Sequence, residues 1–515
     1  MSATKLADDW TENFATDAAQ PAPDSSDSLS KDACGSPSAW FARRFPALPA
    51  EHGAALLEEQ NKDGLIVVKD ICEAFLAATL GAEALPEAPT VFIGSEERFY
   101  TYKPEEGIYT EQRPANLRTR MSRMLLEAAR ACPGCNTQAL QFRFRDSASL
   151  TGVLSHAKGL LAQPHDFFAS DLTEFIPCSN GMLRLRDRLL LPFSPDYRRR
   201  NKLAVPYDPA AKCPLFLNTL MRPALGADDL ELLQRWCGLS LIGDNLAQRI
   251  LILTGTAGGG KGTFIRVLQG IIGANNVGGL RTQLLGERFE LGRFLGKTLL
   301  YGADVPENFL NHRGASVLKS LTGADPVTLE FKNSNESPSI ICRFNIVVTC
   351  NSRLTVRLEG DNDAWRRRLV IIQYSNPAPQ KKIADLSEII LRDEASGVLN
   401  WMLAGLGRIR ADGWQLNVNE SQQKTVDDLL LESDSHGVFV NEALVRDSEA
   451  QTTVADCYAA YVEFCTERGW FALAKNRFSA AIGDAIVRQF GIVQRHNIPD
   501  EYGKPQRGWK GFHCA

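Results

Sequence analysis

The stretch that most constrains this chain is Gly255-Thr-Ala-Gly258-Gly259-Gly260-Lys261-Gly262-Thr263. It follows the apolar run Arg249-Ile-Leu-Ile-Leu-Thr254 and leads into Phe264-Ile-Arg-Val-Leu-Gln-Gly-Ile-Ile272. That order predicts a strand, a glycine loop and a helix. Glycines let the backbone turn tightly enough for successive N–H groups to face one phosphate chain, and the helix N-terminus adds partial positive charge. Gly255, Gly258, Gly259, Gly260, Gly262 and Thr263 are therefore nucleotide-binding candidates, with Lys261 placed at the β- and γ-phosphates. A glycine-rich turn before an ordinary helix would not need a lysine at that offset.

One position departs from the strict G-x-x-x-x-G-K-[ST] pattern. Gly262 stands where a hydroxyl usually meets Mg²⁺, and Thr263 comes one residue late. Thr263 is expected near the α-phosphate, leaving the metal mostly to waters and to an acidic residue.

The acids come next. Gly296-Lys-Thr-Leu-Leu-Tyr-Gly-Ala-Asp304-Val-Pro-Glu307 is an apolar strand ending in carboxylates. One carboxylate there can hold the Mg²⁺ waters and a second can polarise an attacking water. Asp304 is the metal-side candidate and Glu307 the candidate base. Val317-Leu-Lys319 through Asp325 and on to Lys332 reads as a helix end, a turn and the first arm of a hairpin. Arg343-Phe-Asn-Ile-Val-Val-Thr-Cys-Asn351 is a buried strand with a polar tip, whose amide can orient a water against a γ-phosphate. Arg366, Arg367 and Arg368 precede the strand Leu369-Val-Ile-Ile372, either as surface charge or as fingers reaching a neighbouring subunit's nucleotide.

Taken in order, the stretches GTAGGGKGTF, ERFELGRFLGKTLL, LTGADPVT, VVTCN and NDAWRRRLVII resemble the superfamily 3 helicases. Within them the chain is similar to the phage/plasmid primase–helicase family related to the poxvirus nucleoside triphosphatase-primases. The likeness continues upstream through SNGMLRLRDRLLLPFSPDY and AVPYDPAAKCPLF, and downstream through Ala459–Cys465 and Lys475–Phe478. It implies an α/β fold: a P-loop AAA+-like ATPase core, an α-rich N-terminal helicase-associated domain and a C-terminal winged helix. It also implies that Lys261 binds ATP phosphates, Asp304 serves the acidic motif and Asn351 is the sensor. One of the three arginines, Arg367 by preference, is the finger. Lys332 would face DNA in the channel of a ring, usually of six subunits, with Lys319 nearby. The expected activity is that of an ATP- and Mg²⁺-dependent replicative DNA helicase of a phage, plasmid or other mobile element.

Length bounds the organisation. A chain of 515 residues exceeds one compact core, so two to four domains are expected. The expected boundaries are a disordered acidic tail over 1–32, an N-terminal domain over 50–225, an ATPase domain over 226–430 and a DNA-binding module over 440–515. Too few residues precede the N-terminal domain for a primase domain as well, so this chain is not expected to prime, and a separate primase or initiator is the expected partner. Within 50–225 the pattern predicts helix over Ala54–Leu57 and Ile66–Phe75, β structure over 90–109, helix over 115–131 and a strand pair about Asn180-Gly181.

Charge is uneven. The net charge is −4, yet residues 1–32 carry seven acids and two bases, whereas residues 471–515 carry seven bases and three acids. Helical spacing over 452–468 and 475–488, then strands at Gly491–Arg495 and Gly508–Phe512, fits a helix–helix–hairpin. Lys475, Arg477, Arg488, Arg495, Lys504, Arg507 and Lys510 would there grip phosphates. A second basic cluster, Arg198-Arg-Arg-Asn-Lys202, reads as a solvated turn or a DNA contact.

No run approaches the roughly 18 apolar residues that cross a bilayer, so a cytoplasmic protein is expected. Of twelve cysteines only Cys132 and Cys135 are closely paired. A zinc site would need further ligands at metal spacing, and His156 and Cys178 are poorly placed for it. Two rival functions remain: a small nucleotide kinase, which would lack the Asn351 strand and basic C-terminus, and an ATP-dependent origin-binding or helicase-loading protein without unwinding.

Overall fold

The computed structural model describes residues 35–515 except 139–146, 170, 312–313, 332–336, 338, 353, 355, 357–361, 375 and 377–382. The tail over 1–32 and Lys332 lie outside the described residues. The architecture is mixed α/β and the chain divides into two compact units. One comprises the chain up to Phe92 with Arg98–Thr101 and Glu111–Ala162, and the other Ile93–Glu97, Tyr102–Thr110 and Gln163–Ala515.

In the first unit the helices Pro37–Arg44, Glu73–Ala78, Pro114–Arg130 and Ser147–Leu160 surround a core that includes Phe41, Phe75, Met121, Leu125 and Val153. The helix expected over 115–131 is there. The helix expected from Ala54 and from Ile66 is not: Leu56–Gln60 and Ile66–Ile71 form an antiparallel strand pair. Turn chemistry decides this. The Asn61 side chain accepts from the backbone N–H groups of Asp63 and Leu65, and Gly64 has φ +75°, so Asn-Lys-Asp-Gly closes a hairpin ahead of the β-branched run Ile66-Val-Val68. This unit is therefore less helical than expected. Cys132 and Cys135 are buried in its core, and burial pushes the Cys135 thiol up to about 11.

The second unit is built on a five-stranded parallel sheet. Its strands in chain order are β1 (Ile250–Gly255), β2 (Val277–Gly279), β3 (Leu299–Gly302), β4 (Asn345–Thr349) and β5 (Leu369–Tyr374). They lie in the order β2-β3-β4-β1-β5. The period of two along each strand divides their side chains. Leu251, Leu253, Val347, Val370 and Ile372 enter a core on one face, and Ile250, Ile252, Ile346, Val348 and Ile371 enter a core on the other. Burial on both faces is why these strands read as unbroken apolar runs.

The first of those cores also takes Ile176 and Leu183 from the hairpin Phe175–Arg184, and Phe216, Leu220 and Met221 from a π-helical turn, Phe216–Met221. Residues 163–225, assigned from sequence to the N-terminal domain, thus share their core with the sheet, and the division of the chain falls near 162. Two helices, Ala227–Leu241 and Ala395–Ala411, meet backbone to backbone in the same core. A Cβ at Gly405 would stand 2.0 Å from the Gln234 carbonyl oxygen, and one at Gly238 2.2 Å from the Leu406 nitrogen.

The C-terminal module comprises α2 (Ser435–Glu442), β6 (Leu444–Thr453), α3 (Val454–Glu467), α4 (Lys475–Phe490), β7 (Arg495–Pro499) and β8 (Pro505–Cys514). Its antiparallel sheet has the order β6-β8-β7, and Phe439, Tyr461, Phe478, Trp509 and Phe512 fill its core. Both expected helices are present, and Thr453 caps α3 by accepting from the Asp456 N–H. The strand expected over 491–495 begins only at Arg495. The sequence reading missed β6 altogether, because Val445 to Glu449 face solvent and its pairing with β8 is irregular between Arg446 and Gln451.

The glycine contact between the two helices gives a direct test of this core. Gly405→Ala is expected to lower stability by about 1–3 kcal/mol, the cost of overpacking a dense core, whereas Gly407→Ala on the open side of the same helix should not. Midpoints of urea unfolding measured for both variants check this.

Candidate functional site

All five strands run the same way, so their C-terminal ends share one edge, where ligands of parallel sheets bind. The glycine loop leaves that edge from β1 and ends in α1 (Lys261–Ile272). Gly255, Gly258 and Gly260 have φ of +125°, +86° and +100°, a region that side chains disfavour. Gly255 is further fixed by space, since a Cβ would lie 2.3 Å from the Tyr374 carbonyl oxygen of β5. Gly262 differs: its φ is ordinary and the nearest atom to a Cβ is the mobile end of Arg266 at 3.8 Å.

Lys261 is 4% exposed and folds back over the loop. Its ammonium donates to the Gly255 and Thr256 carbonyls at 2.6 and 3.0 Å. Burial lowers its pKa, and the negative charge of Asp304 works against that shift. Asp304 follows β3 with φ +40°. Its N–H donates to the Thr349 hydroxyl at 3.0 Å, and the Val305 N–H donates to the Thr349 carbonyl at 2.8 Å. Asn351, two residues beyond β4, donates from its side-chain amide to the Asp304 carboxylate at 3.0 Å.

Loop, carboxylate and amide close around a cleft of about 750 Å³. Its remaining wall includes Leu220, Pro223, Tyr301, Asn376 and Ile383. Thr263 is on the wall, and its hydroxyl accepts from Arg266 at 3.4 Å. The volume suits a nucleotide-sized ligand.

Several expected site residues lie elsewhere. Glu307 is exposed and lines a separate groove with His436, Arg477 and Arg488, so it does not join Asp304 and Asn351 at the cleft. The arginine triplet stands before β5, at the opposite edge of the sheet, and its members differ. Arg368 is 5% exposed and donates to the Ala364 carbonyl. Arg366 pairs with Asp363 and Asp427 at 2.9 and 2.8 Å. Arg367 is exposed, with no side-chain hydrogen bond or ion pair among the described residues. Lys319 stacks its ammonium over the Trp365 ring, 5.7 Å from the centroid. Lys475 and Arg477 are exposed on the first turn of α4, and Arg495 and Arg507 are exposed on β7 and β8.

Thr349, Leu220, Pro223 and Ile383 escaped the sequence analysis. Thr349 had a signal, being the last residue of a strand running towards the same edge. The others reach the cleft only through tertiary packing.

Two family descriptions match parts of the chain. Residues 97–222 match "D5 N terminal like", and residues 253–368 match a family of unknown function, DUF5906. Solved structures similar to the chain include the A-form apo structure of the NrS-1 C-terminal region, at 12% identity and TM-score 0.47, covering 86% of this chain and 99% of that one. Another apo structure of the same region matches at 13% identity and TM-score 0.47, with the same coverage. No curated protein matches the sequence. Among the described residues no helix is long and apolar enough to cross a membrane, and no three His, Cys, Asp or Glu side chains cluster at metal spacing.

The loop geometry separates its glycines. Gly255→Ala should cost about 1–3 kcal/mol through backbone strain, together with the clash against Tyr374. Gly262→Ser should stay within about 0.5 kcal/mol of wild type. Thermal unfolding of the two variants checks the contrast.

Proposed function

We propose that this chain is the ATP-driven motor of a DNA replication machine: a superfamily 3-type helicase with a P-loop AAA+-like core and a winged-helix C-terminal module, acting as a ring, by expectation a hexamer. The observation that carries this reading is the assembly at one sheet edge of a positive-φ glycine loop, the buried Lys261 and the hydrogen-bonded pair Asp304–Asn351 around one cleft.

ATP would lay its phosphates on the loop N–H groups and the N-terminus of α1, with its base against Leu220, Pro223 and Ile383. Lys261 would leave the Gly255 and Thr256 carbonyls for the β- and γ-phosphates. Asp304 and Thr263 suit Mg²⁺ held largely through its waters, since Gly262 brings no hydroxyl and Asp304 keeps one oxygen without a hydrogen bond among the described residues. Bound there, the ion would neutralise phosphate charge. Asn351, steadied by Asp304, would orient the attacking water. Glu307 takes no part in this scheme.

The arginine comes from a neighbour. β5 has six residues, so the triplet stands roughly 20 Å from the edge its own loop occupies. Arg367, exposed and without a side-chain partner among the described residues, is suited to the nucleotide of an adjacent subunit, where such a residue stabilises the charge of the transferring phosphoryl group. Arg366 and Arg368 are held by their own chain. The exposed bases of the C-terminal module would grip DNA phosphates, making binding salt-sensitive.

Unwinding of a forked duplex is expected for wild type with ATP and Mg²⁺, and should vanish in Lys261→Ala and with excess chelator. ATP hydrolysis and DNA binding without strand separation would replace the motor with the loader. Arg367→Ala should lower ATP hydrolysis by about 10³-fold. Mixing it with Lys261→Ala should restore part of the rate, because a mixed ring pairs an intact loop with an intact arginine. Mixtures no more active than their components would exclude a shared site.

A further inference from the structure

A second cleft, also of about 750 Å³, lies at the other edge of the sheet. Its wall includes Ile242–Asp244 ahead of β1, Lys297 and Thr298 ahead of β3, and Arg343 and Phe344 ahead of β4. It is therefore remote from Lys261 and from the ATP site proposed above. Two further segments complete it: the basic cluster of residues 199–203, and Ser339–Ile341, the second strand of the hairpin paired with Pro326–Thr328.

Five Arg and Lys side chains line this cleft; Arg199 is buried and donates to the Tyr197 and Asp171 carbonyls, and the other four fall into two kinds. Arg200 pairs with Glu96 at 2.6 Å and stacks over the Phe168 ring at 4.9 Å, while Arg343 pairs with Asp244 at 3.1 Å. Lys202 and Lys297 have no carboxylate partner among the described residues. Lys202 donates to the Glu106 carbonyl and Lys297 to the Asn275 carbonyl at 2.7 Å. An ammonium has three donors, so each keeps two to give. Burial lowers the pKa of Lys297, as for a cation lacking a counter-ion. Of the carboxylates on the wall, Glu96 and Asp244 are taken up by arginines, and Asp166 alone is left against the two lysines.

We propose that this cleft carries the phosphates of a single DNA strand from the hairpin to the basic cluster, with Lys202 and Lys297 as its phosphate contacts. The proposal rests on the motor reading and adds a path that the C-terminal bases do not supply. A strand fits better than a compact anion, because the cations sit on three separate chain segments instead of around one point. The wall also offers apolar surface to a base at Ile341, which is 50% exposed. Ile341 pairs with Pro326 at the base of the hairpin, so the cleft begins where the hairpin leaves the sheet.

Anisotropy of a labelled oligothymidylate, titrated with the full chain over a range of salt, tests the path. Lys202→Ala with Lys297→Ala should weaken binding roughly tenfold and reduce the salt slope by about 1.4, two single-strand phosphate contacts. ATP hydrolysis without DNA should be unchanged, and Lys202→Arg with Lys297→Arg should bind as wild type does. Unchanged affinity and slope in the alanine pair, with wild type binding normally, overturns this path and leaves the motor reading standing. Absence of binding by wild type overturns both. Thymidine monophosphate displacing the oligonucleotide as well as unlabelled DNA does would make the cleft a mononucleotide site and also overturn the path. Should the alanine pair melt early, Ile341→Glu, at an exposed position, reads the same cleft: weaker binding is expected, and unchanged affinity overturns the proposal.

Discussion

The two-sided burial of β1 is the constraint on which the second unit depends. Ile250 to Leu253 are fully buried, with alternate side chains in two separate cores and a parallel neighbour on each edge. A strand so enclosed cannot slip in register without moving its whole apolar set to the wrong face. The loop that leaves its end is therefore fixed relative to the ends of β3 and β4. Thr349 completes the fit by accepting the Asp304 N–H through its hydroxyl and the Val305 N–H through its carbonyl, which holds Asp304 at a positive φ beside Asn351.

Parallel strands also give the sheet two chemically distinct edges. Glycine loop, carboxylate and amide gather at the C-terminal edge. At the N-terminal edge stand the arginine triplet, the base of the hairpin and the cleft that holds Lys202 and Lys297. In the motor proposed here, one edge handles nucleotide and the other meets DNA and a neighbouring subunit. The strands between them are rigid because both their faces are packed, so movement at one edge has a stiff route to the other.

Legibility in the sequence followed how local each determinant was. The glycine loop, α1, β3 and β4 were readable because apolar runs of strand length and a punctuating glycine cluster need no distant partner to interpret. The hairpin Leu56–Ile71 reads as helix from its short apolar runs, which suit either form, and only the Asn-Lys-Asp-Gly turn between them decides for strands. β6 was invisible because its exposed polar residues are held in the sheet mainly by backbone pairing with β8. The boundary set at 225 failed to anticipate that Phe216, Leu220 and Met221 pack against the sheet, a contact between segments with no shared local signal.

By itself the sequence determined a glycine loop with one lysine and named the side chains proposed here to serve it, since backbone curvature and that lysine are encoded within nine consecutive residues. Only the tertiary structure decided which candidates meet. It brought Asp304 to Asn351 and left Glu307 in another groove. It divided three adjacent arginines into one buried, one paired and one exposed, and it placed a turn near residue 200 against strand starts near 298 and 343. The physical reason is that these distinctions depend on the order and direction of strands in the sheet. That order follows from burying both faces at once, a condition on the whole unit that no single stretch of chain contains.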